Sequence, residues 1–166
     1  MSLARNGAQG YAIGMSFVIS LLPLHRGTLA LCALPASAES RAAVLDFAPA
    51  LILSLTPEDE LARLHAADLP DWCAAVGIPR LAFPVEDFQT PPEGADWAAI
   101  SAPATAVLKD GGRVLVHCRG GLGRSGMVAL RLMIEAGEAP DAALRRLRAA
   151  RPGAVETEAQ ERWAQG

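Results

Sequence analysis

Residues His117 to Gly126 read H-C-R-G-G-L-G-R-S-G, and no other stretch limits the possible folds so strongly. Cys118 and Arg124 are separated by five residues, Arg119-Gly120-Gly121-Leu122-Gly123, three of them glycine, and Ser125 follows directly. An apolar run, Val114-Leu115-Val116, precedes the segment, and a helical pattern from Met127 to Ala136 follows it. The order is therefore strand, tight loop, helix. Such a loop aims successive backbone N–H groups and the positive end of a helix dipole at one point, which suits a phosphate-like dianion. A cysteine at the start of the loop turns an anion site into a reaction site.

The spacing follows from the chemistry. A thiolate, not a thiol, is the nucleophile, and helix N-termini and nearby cations favour the thiolate form. Here the loop amides of 119–123, the helix after Arg124 and the Ser125 hydroxyl would supply that stabilisation. The planar fork of Arg124 would grip two oxygens of a phosphoryl group, which a lysine cannot do. The glycines let the backbone curl with its amides inward.

The 166 residues, 51% of them hydrophobic, suit one domain with a substantial core. A net charge of −3 gives no sign of nucleic-acid binding. Three cysteines, Cys32, Cys73 and Cys118, are too few and too scattered for a disulfide framework. Together with the need for a reduced thiol, this points to the cytoplasm. No apolar run has the length of a membrane span. The apolar stretch Tyr11 to Leu24, with Ala36-Ser37-Ala38 beyond it, has the outline of a signal peptide. Its Gly14, Ser16, Ser20 and β-branched residues fit a strand better. Residues 1–15 are expected to be a loose tail, and 16–166 the folded domain.

Strand and helix patterns alternate. Phe17 to Leu22 and Thr28 to Leu34 read as a hairpin about a turn at Pro23–Gly27. Helices are expected over Ala38–Phe47, Leu69–Val76, Asp96–Leu108, Asp141–Ala150 and Glu158–Ala164, with another opening at Thr56-Pro57-Glu58-Asp59, where Thr56 would be the N-cap. Strands are expected at Leu51–Leu55, within Ile78–Val85 and at Arg113–His117. The fold class is α/β, a single domain with a mostly parallel central sheet.

The ten-residue string resembles the C-x5-R signature of the cysteine-dependent protein tyrosine and dual-specificity phosphatases. A phosphate ester's leaving oxygen needs a proton, so an acid is required on a second loop. Phe83-Pro84-Val85-Glu86-Asp87-Phe88-Gln89-Thr90-Pro91-Pro92 has a P-x-x-D-x-x-x-P pattern similar to the acid loop of the dual-specificity class. The match makes Asp87 the acid, with Glu86, Glu93 and Asp96 as fallbacks. Leu31-Cys32-Ala33-Leu34-Pro35 adds a likeness to the cyclin-dependent kinase-associated phosphatase group, and the Ala- and Arg-rich composition points to a bacterial relative.

The resemblance implies a sheet of four or five strands with helices on both sides. It also implies a phosphocysteine intermediate: Cys118 attacks phosphorus, Arg124 and the amides of Arg119 to Gly123 hold the oxygens, and Asp87 protonates the leaving group. No metal or cofactor is called for. Ser125 would bond the thiolate, and His117 would order the loop from behind. Gln160, in the segment Arg151 to Gln160, would orient the hydrolytic water, although Thr157-x-x-Gln160 is equally a capping box. Arg145, Arg146 and Arg148 read as a solvated face, Cys32 and Cys73 as core, and His25 and His65 lack metal-ligand spacing. The only tyrosine, Tyr11, lies in the expected tail. That favours a shallow site open to phosphotyrosine and phosphoserine or phosphothreonine, unless Phe88 or a tryptophan forms a wall. Partners are then a phosphorylated protein or a small phosphomonoester, with no nucleic acid and no membrane. Inositol-phosphate or lipid hydrolysis and a non-catalytic phosphate-binding module are the alternatives.

Overall fold

The computed structural model describes residues 16–166, so the expected tail at 1–15 lies outside the described residues. Five strands form one sheet: β1 (Ser20–Leu24), β2 (Gly27–Cys32), β3 (Leu51–Ser54), β4 (Arg80–Ala82) and β5 (Arg113–His117). Their order across the sheet is β1-β2-β5-β3-β4. β1 pairs antiparallel with β2, and the other pairs are parallel. The helices are α1 (Ala38–Phe47), α2 (Glu58–Arg63), α3 (Leu69–Ala75), α4 (Ala98–Lys109), α5 (Gly123–Glu135), α6 (Pro140–Ala150) and α7 (Glu158–Gln165).

The period of two along the strands divides the core into two layers. Leu29, Leu31, Leu51, Leu53, Val114 and Val116 face one layer, filled from α4, α5, α6 and α7 by residues such as Leu108, Met127, Leu147 and Ala164. Ala30, Cys32, Ile52 and Leu115 face the other, against Val44 of α1, Leu61 of α2 and Cys73 of α3. Helices therefore cover both faces, and Cys32 and Cys73 are buried core residues, as expected.

Several boundaries move. The hairpin turn is His25-Arg26, with His25 at φ 52°, so Pro23 and Leu24 belong to the first strand rather than to the turn. Pro23 is tolerated because β1 is an edge strand. The N-cap position of α2 is Pro57, not Thr56; Thr56 Oγ1 is buried without a hydrogen-bond partner. α5 starts at Gly123, which puts Arg124 and Ser125 in its first turn.

This topology fixes the place of the C-x5-R loop. Cys32, Ser54 and His117, the last residues of β2, β3 and β5, are register neighbours. The C-x5-R loop leaves the sheet at this carboxyl edge, the usual ligand side of parallel α/β sheets.

Candidate active site

Each loop carbonyl from Arg119 to Leu122 is bonded to something outside the loop. Arg119 O accepts from Leu34 N (3.0 Å). Arg151 Nη2 donates to Gly120 O (3.1 Å) and its Nε to Gly121 O (3.0 Å). Leu122 O accepts from Val155 N (3.1 Å) and from Gly126 N (2.9 Å). Carbonyls tied outward leave the amides of the turn facing inward, and Gly121 N donates to Cys118 Sγ at 3.2 Å. Gly121 has φ 70°, and a Cβ there would stand 2.4 Å from the Cys32 carbonyl, so only glycine fits.

Arg124 is 1% exposed. Its Nη1 and Nη2 donate end-on to Glu60 Oε2 (2.8 Å) and Oε1 (2.9 Å), and Nη1 also donates to Val85 O (2.8 Å). Burial opposes its charge most strongly, but its hydrogen bonds to Glu60 and the negative charges of Cys118, Glu60 and Asp87 together hold its pKa above the ordinary value. The hydrogen bonds from Arg124 hold the Glu60 carboxyl below its ordinary value, against the effect of burial. The edge of the guanidinium formed by Nε and Nη2 is left over, with Asp87 Oδ1 3.3 Å from Nη2 and Nε bonded to nothing among the described residues. Two parallel N–H groups on that edge match two oxygens of a tetrahedral oxyanion. Ser125 Oγ is also buried without a partner.

Behind Cys118 lies a chain of polar side chains, His117 and Ser54 buried and Arg80 half-buried. His117 Nδ1 stands 3.2 Å from Cys118 O, which only accepts, so Nδ1 carries the hydrogen. Burial pulls the His117 pKa down to about 4, with the charges of Arg80 and Arg124 acting the same way against its bond to the Cys118 carbonyl. The ring is thus neutral, Nε2 is bare, and the Ser54 hydroxyl donates to it. Ser54 Oγ in turn accepts from Arg80 Nε (2.9 Å).

The second loop brings Asp87 to Arg124, its side chain 40% exposed, while Glu86 is exposed beside it. Asp96 Oδ1 accepts from Ala99 N (3.1 Å) in the first turn of α4. Gln160 Oε1 accepts from Glu156 N (2.9 Å), and its Nε2 donates to Gln89 O (3.2 Å). Thr157 caps α7 by accepting from Gln160 N (3.1 Å). Half of the expected capping box is present, and the glutamine side chain braces the acid loop with both ends of its amide engaged. On α6, Arg145 and Arg148 are exposed, in keeping with a solvated face, while Arg146 is half-buried and pairs with Glu138, and Arg148 also donates to the carbonyls of Ala154 (2.9 Å) and Val155 (3.1 Å).

Five participants escape sequence reading: Glu60, Arg151, Ser54, Arg80 and Glu156. Glu156 Oε1 would stand 2.2 Å from a Cβ at Gly123, so its carboxylate rests on the start of α5. A cavity of about 290 Å³ opens between it, Asp87, Phe88, Arg119, Gly120 and Leu122. Nothing local to Glu156-Thr157 marks the glutamate, because its contact is with Gly123, far away in the sequence.

A buried cysteine in an amide-lined turn, an arginine closing that turn and an acid on a facing loop define a cysteine-based oxyanion-handling site on an α/β sheet. The comparisons give it a family. Residues 21–164 match the model of the Swiss Army Knife protein DSP-PTPase phosphatase domain, PTP-SAK, and the chain belongs to that family. Cyclin-dependent kinase inhibitor 3 of Rattus norvegicus is 36% identical over 101 residues, 59% of this chain and 47% of its own length. The chain thus spans about half the length of the curated relatives it matches. Among solved structures it is similar to the kinase associated phosphatase with its catalytic-site cysteine replaced by serine, at 27% identity and a TM-score of 0.81, covering 91% of this chain and 93% of that one. Tk-PTP in its active form is 34% identical with a TM-score of 0.68, covering 81% and 87%.

Proposed function

We propose that the chain hydrolyses phosphomonoesters through a phosphocysteine at Cys118. The observation that carries this reading is the outward tethering of the carbonyls of Arg119 to Leu122, which turns the amides toward the thiol. In the proposed reaction the phosphoryl group enters the turn, and the Nε–Nη2 edge of Arg124 takes two of its oxygens. Cys118 Sγ attacks phosphorus as the ester bond breaks, and Asp87 gives its proton to the leaving oxygen. Asp87, now a carboxylate, takes a proton from water as that water attacks the phosphocysteine and frees the thiolate. The Ser125 hydroxyl donates to the departing sulfur. Preorganised donors of this kind supply positive field where charge develops, so the scheme calls for no metal or cofactor.

The double engagement of Gln160 supports a bracing role for it rather than the orientation of water. His117, kept neutral, fixes the Cys118 carbonyl. Substrates in this reading are phosphorylated proteins or small phosphomonoesters, and a free thiol suits a reducing compartment such as the cytoplasm. Among the described residues no helix is long and apolar enough to cross a membrane. The test is hydrolysis of p-nitrophenyl phosphate with and without chelator. Wild type is expected to turn over equally in both, and Cys118→Ser not at all. Turnover by Cys118→Ser would refute the nucleophile, and inhibition by chelator would refute the metal-free scheme.

A further inference from the structure

Arg80 has no part in the reaction steps above. It opens β4, an edge strand, and its Nε donates to Ser54 Oγ at 2.9 Å. The register puts Arg80 beside Ile52 and Ser54 beside His117, on three neighbouring strands. Ile52 and Leu115 lie in one core layer, and the period of two places Arg80, Ser54 and His117 on that same face. Three polar side chains thus form a row across the sheet, from β4 through β3 to β5, in an otherwise apolar layer. Ser54 and His117 are fully buried. Polar groups at such depth persist only when they are bonded.

The cation gives the row a direction. A guanidinium keeps its protons, so Ser54 Oγ can only accept from it. The positive charge turns the hydroxyl dipole with its oxygen toward Arg80 and its hydrogen away, toward His117 Nε2. Nδ1 then carries the ring hydrogen and donates to the Cys118 carbonyl at 3.2 Å. Burial first, and then the charges of Arg80 and Arg124, keep the ring neutral against that bond. With Arg80 removed, the opposite sense becomes available: Nε2–H donates to Ser54, Nδ1 stands bare, and the Cys118 carbonyl is released. A trans peptide points its C=O and N–H to opposite sides, and the Cys118–Arg119 bond is trans. Holding Cys118 O toward His117 therefore turns the Arg119 N–H to the other side, that of the anion turn. We propose that Arg80 is a positioning residue: through Ser54 and His117 it aims the Arg119 amide, the first of the turn, at the bound oxyanion. The assignment rests on the phosphatase reading and extends its machinery to the far edge of the sheet.

The experiment reads the His117 ring by nitrogen NMR and the affinity for inorganic phosphate by calorimetry, in the full chain. Wild type is expected to show His117 in the Nδ1–H form. Arg80→Met keeps an unbranched stem and removes charge and donor. It should bring in the Nε2–H form, weaken phosphate about tenfold and lower kcat/KM on p-nitrophenyl phosphate about as much. Arg80→Lys, which restores the charge, should stay within about threefold of wild type. Ser54→Ala should weaken phosphate at least as much as Arg80→Met. The double variant should lose no more than Ser54→Ala alone, because the relay is already cut. An Arg80→Met protein with a lower melting temperature but unchanged phosphate affinity and an unchanged His117 ring would overturn the assignment. Losses that add in the double variant would overturn it too. If Ser54→Ala does not fold, the two Arg80 variants decide alone, because that side chain is only half-buried, at an edge. Wild type that binds phosphate and shows both responses to Arg80→Met, yet hydrolyses nothing, would overturn the phosphatase reading and support the positioning role.

Discussion

In the loop from Cys118 to Gly123 the carbonyls of Arg119 to Leu122 all have partners in other parts of the chain, and the flanking His117 and Arg124 are buried. In the loop from Pro84 to Pro92, Asp87 and Phe88 stand partly in solvent, and Phe88 keeps a strained backbone. Gln160 and Arg124 hold that loop from behind through Gln89 O and Val85 O. In the proposed reaction the first loop holds the phosphoryl group that all substrates share, and the second brings the acid to the leaving group. The buried, tethered part of the site would then serve the common chemistry, and the exposed part would meet what varies.

The sharpest way to break this contrast is to untie the buried side. Glu60→Ala leaves Arg124 buried without its carboxylate and should cost about 3–5 kcal/mol of stability by urea unfolding, a loss that added phosphate partly restores by occupying the guanidinium. A loss below about 1 kcal/mol would mean that Glu60 is incidental. The pair also sets a pH dependence. The Glu60 carboxyl is held below its ordinary 4.5, so its contribution is present above 4.5 and is lost as pH falls through the lowered value.

On the open side, Asp87→Asn should slow aryl phosphates with poor leaving groups about 10²–10³-fold and those with good leaving groups far less, measured as a leaving-group series. Equal slowing would transfer the acid role elsewhere, Glu86 being the neighbour on the same loop.

His117 tests the base of the rigid loop. Its pKa falls from 6.5 to about 4 on folding, so the unfolded chain takes up a proton that the folded chain refuses between those values. Stability should therefore rise with pH across that window by about 3 kcal/mol, and the slope should vanish in His117→Asn. A slope unchanged in the variant would assign it to other groups.

Arg151 gives the smallest effect. Arg151→Met should weaken inhibition by phosphate or vanadate about tenfold and raise KM more than it lowers kcat, with Arg151→Lys intermediate. A change in melting temperature alone would reduce Arg151 to a structural residue.

The sequence makes the cradle legible because its rules are local. Gly121 needs a left-handed backbone, the cysteine and arginine need a fixed spacing, and strand, loop and helix follow one another without interruption. The Asp87 loop is legible through its prolines and its resemblance to a known pattern. What supports the cradle is not local. Glu60 reaches Arg124 across 64 positions, Arg80 reaches Ser54 across 26, and Arg151 reaches Gly121 across 30. Nothing in the residues around an arginine says which carbonyl it will hold once the helices pack. The same applies to Thr56, a sound cap by type that the entry into α2 displaces by one residue.

The most direct test of the account is to trap the covalent enzyme. A substrate labelled on its phosphoryl group is mixed with the protein and quenched in acid within milliseconds. The account predicts label bound to protein in wild type, more of it in Asp87→Asn, and none in Cys118→Ser. Turnover without any trapped label in either of the first two proteins, or label retained in Cys118→Ser, would contradict it.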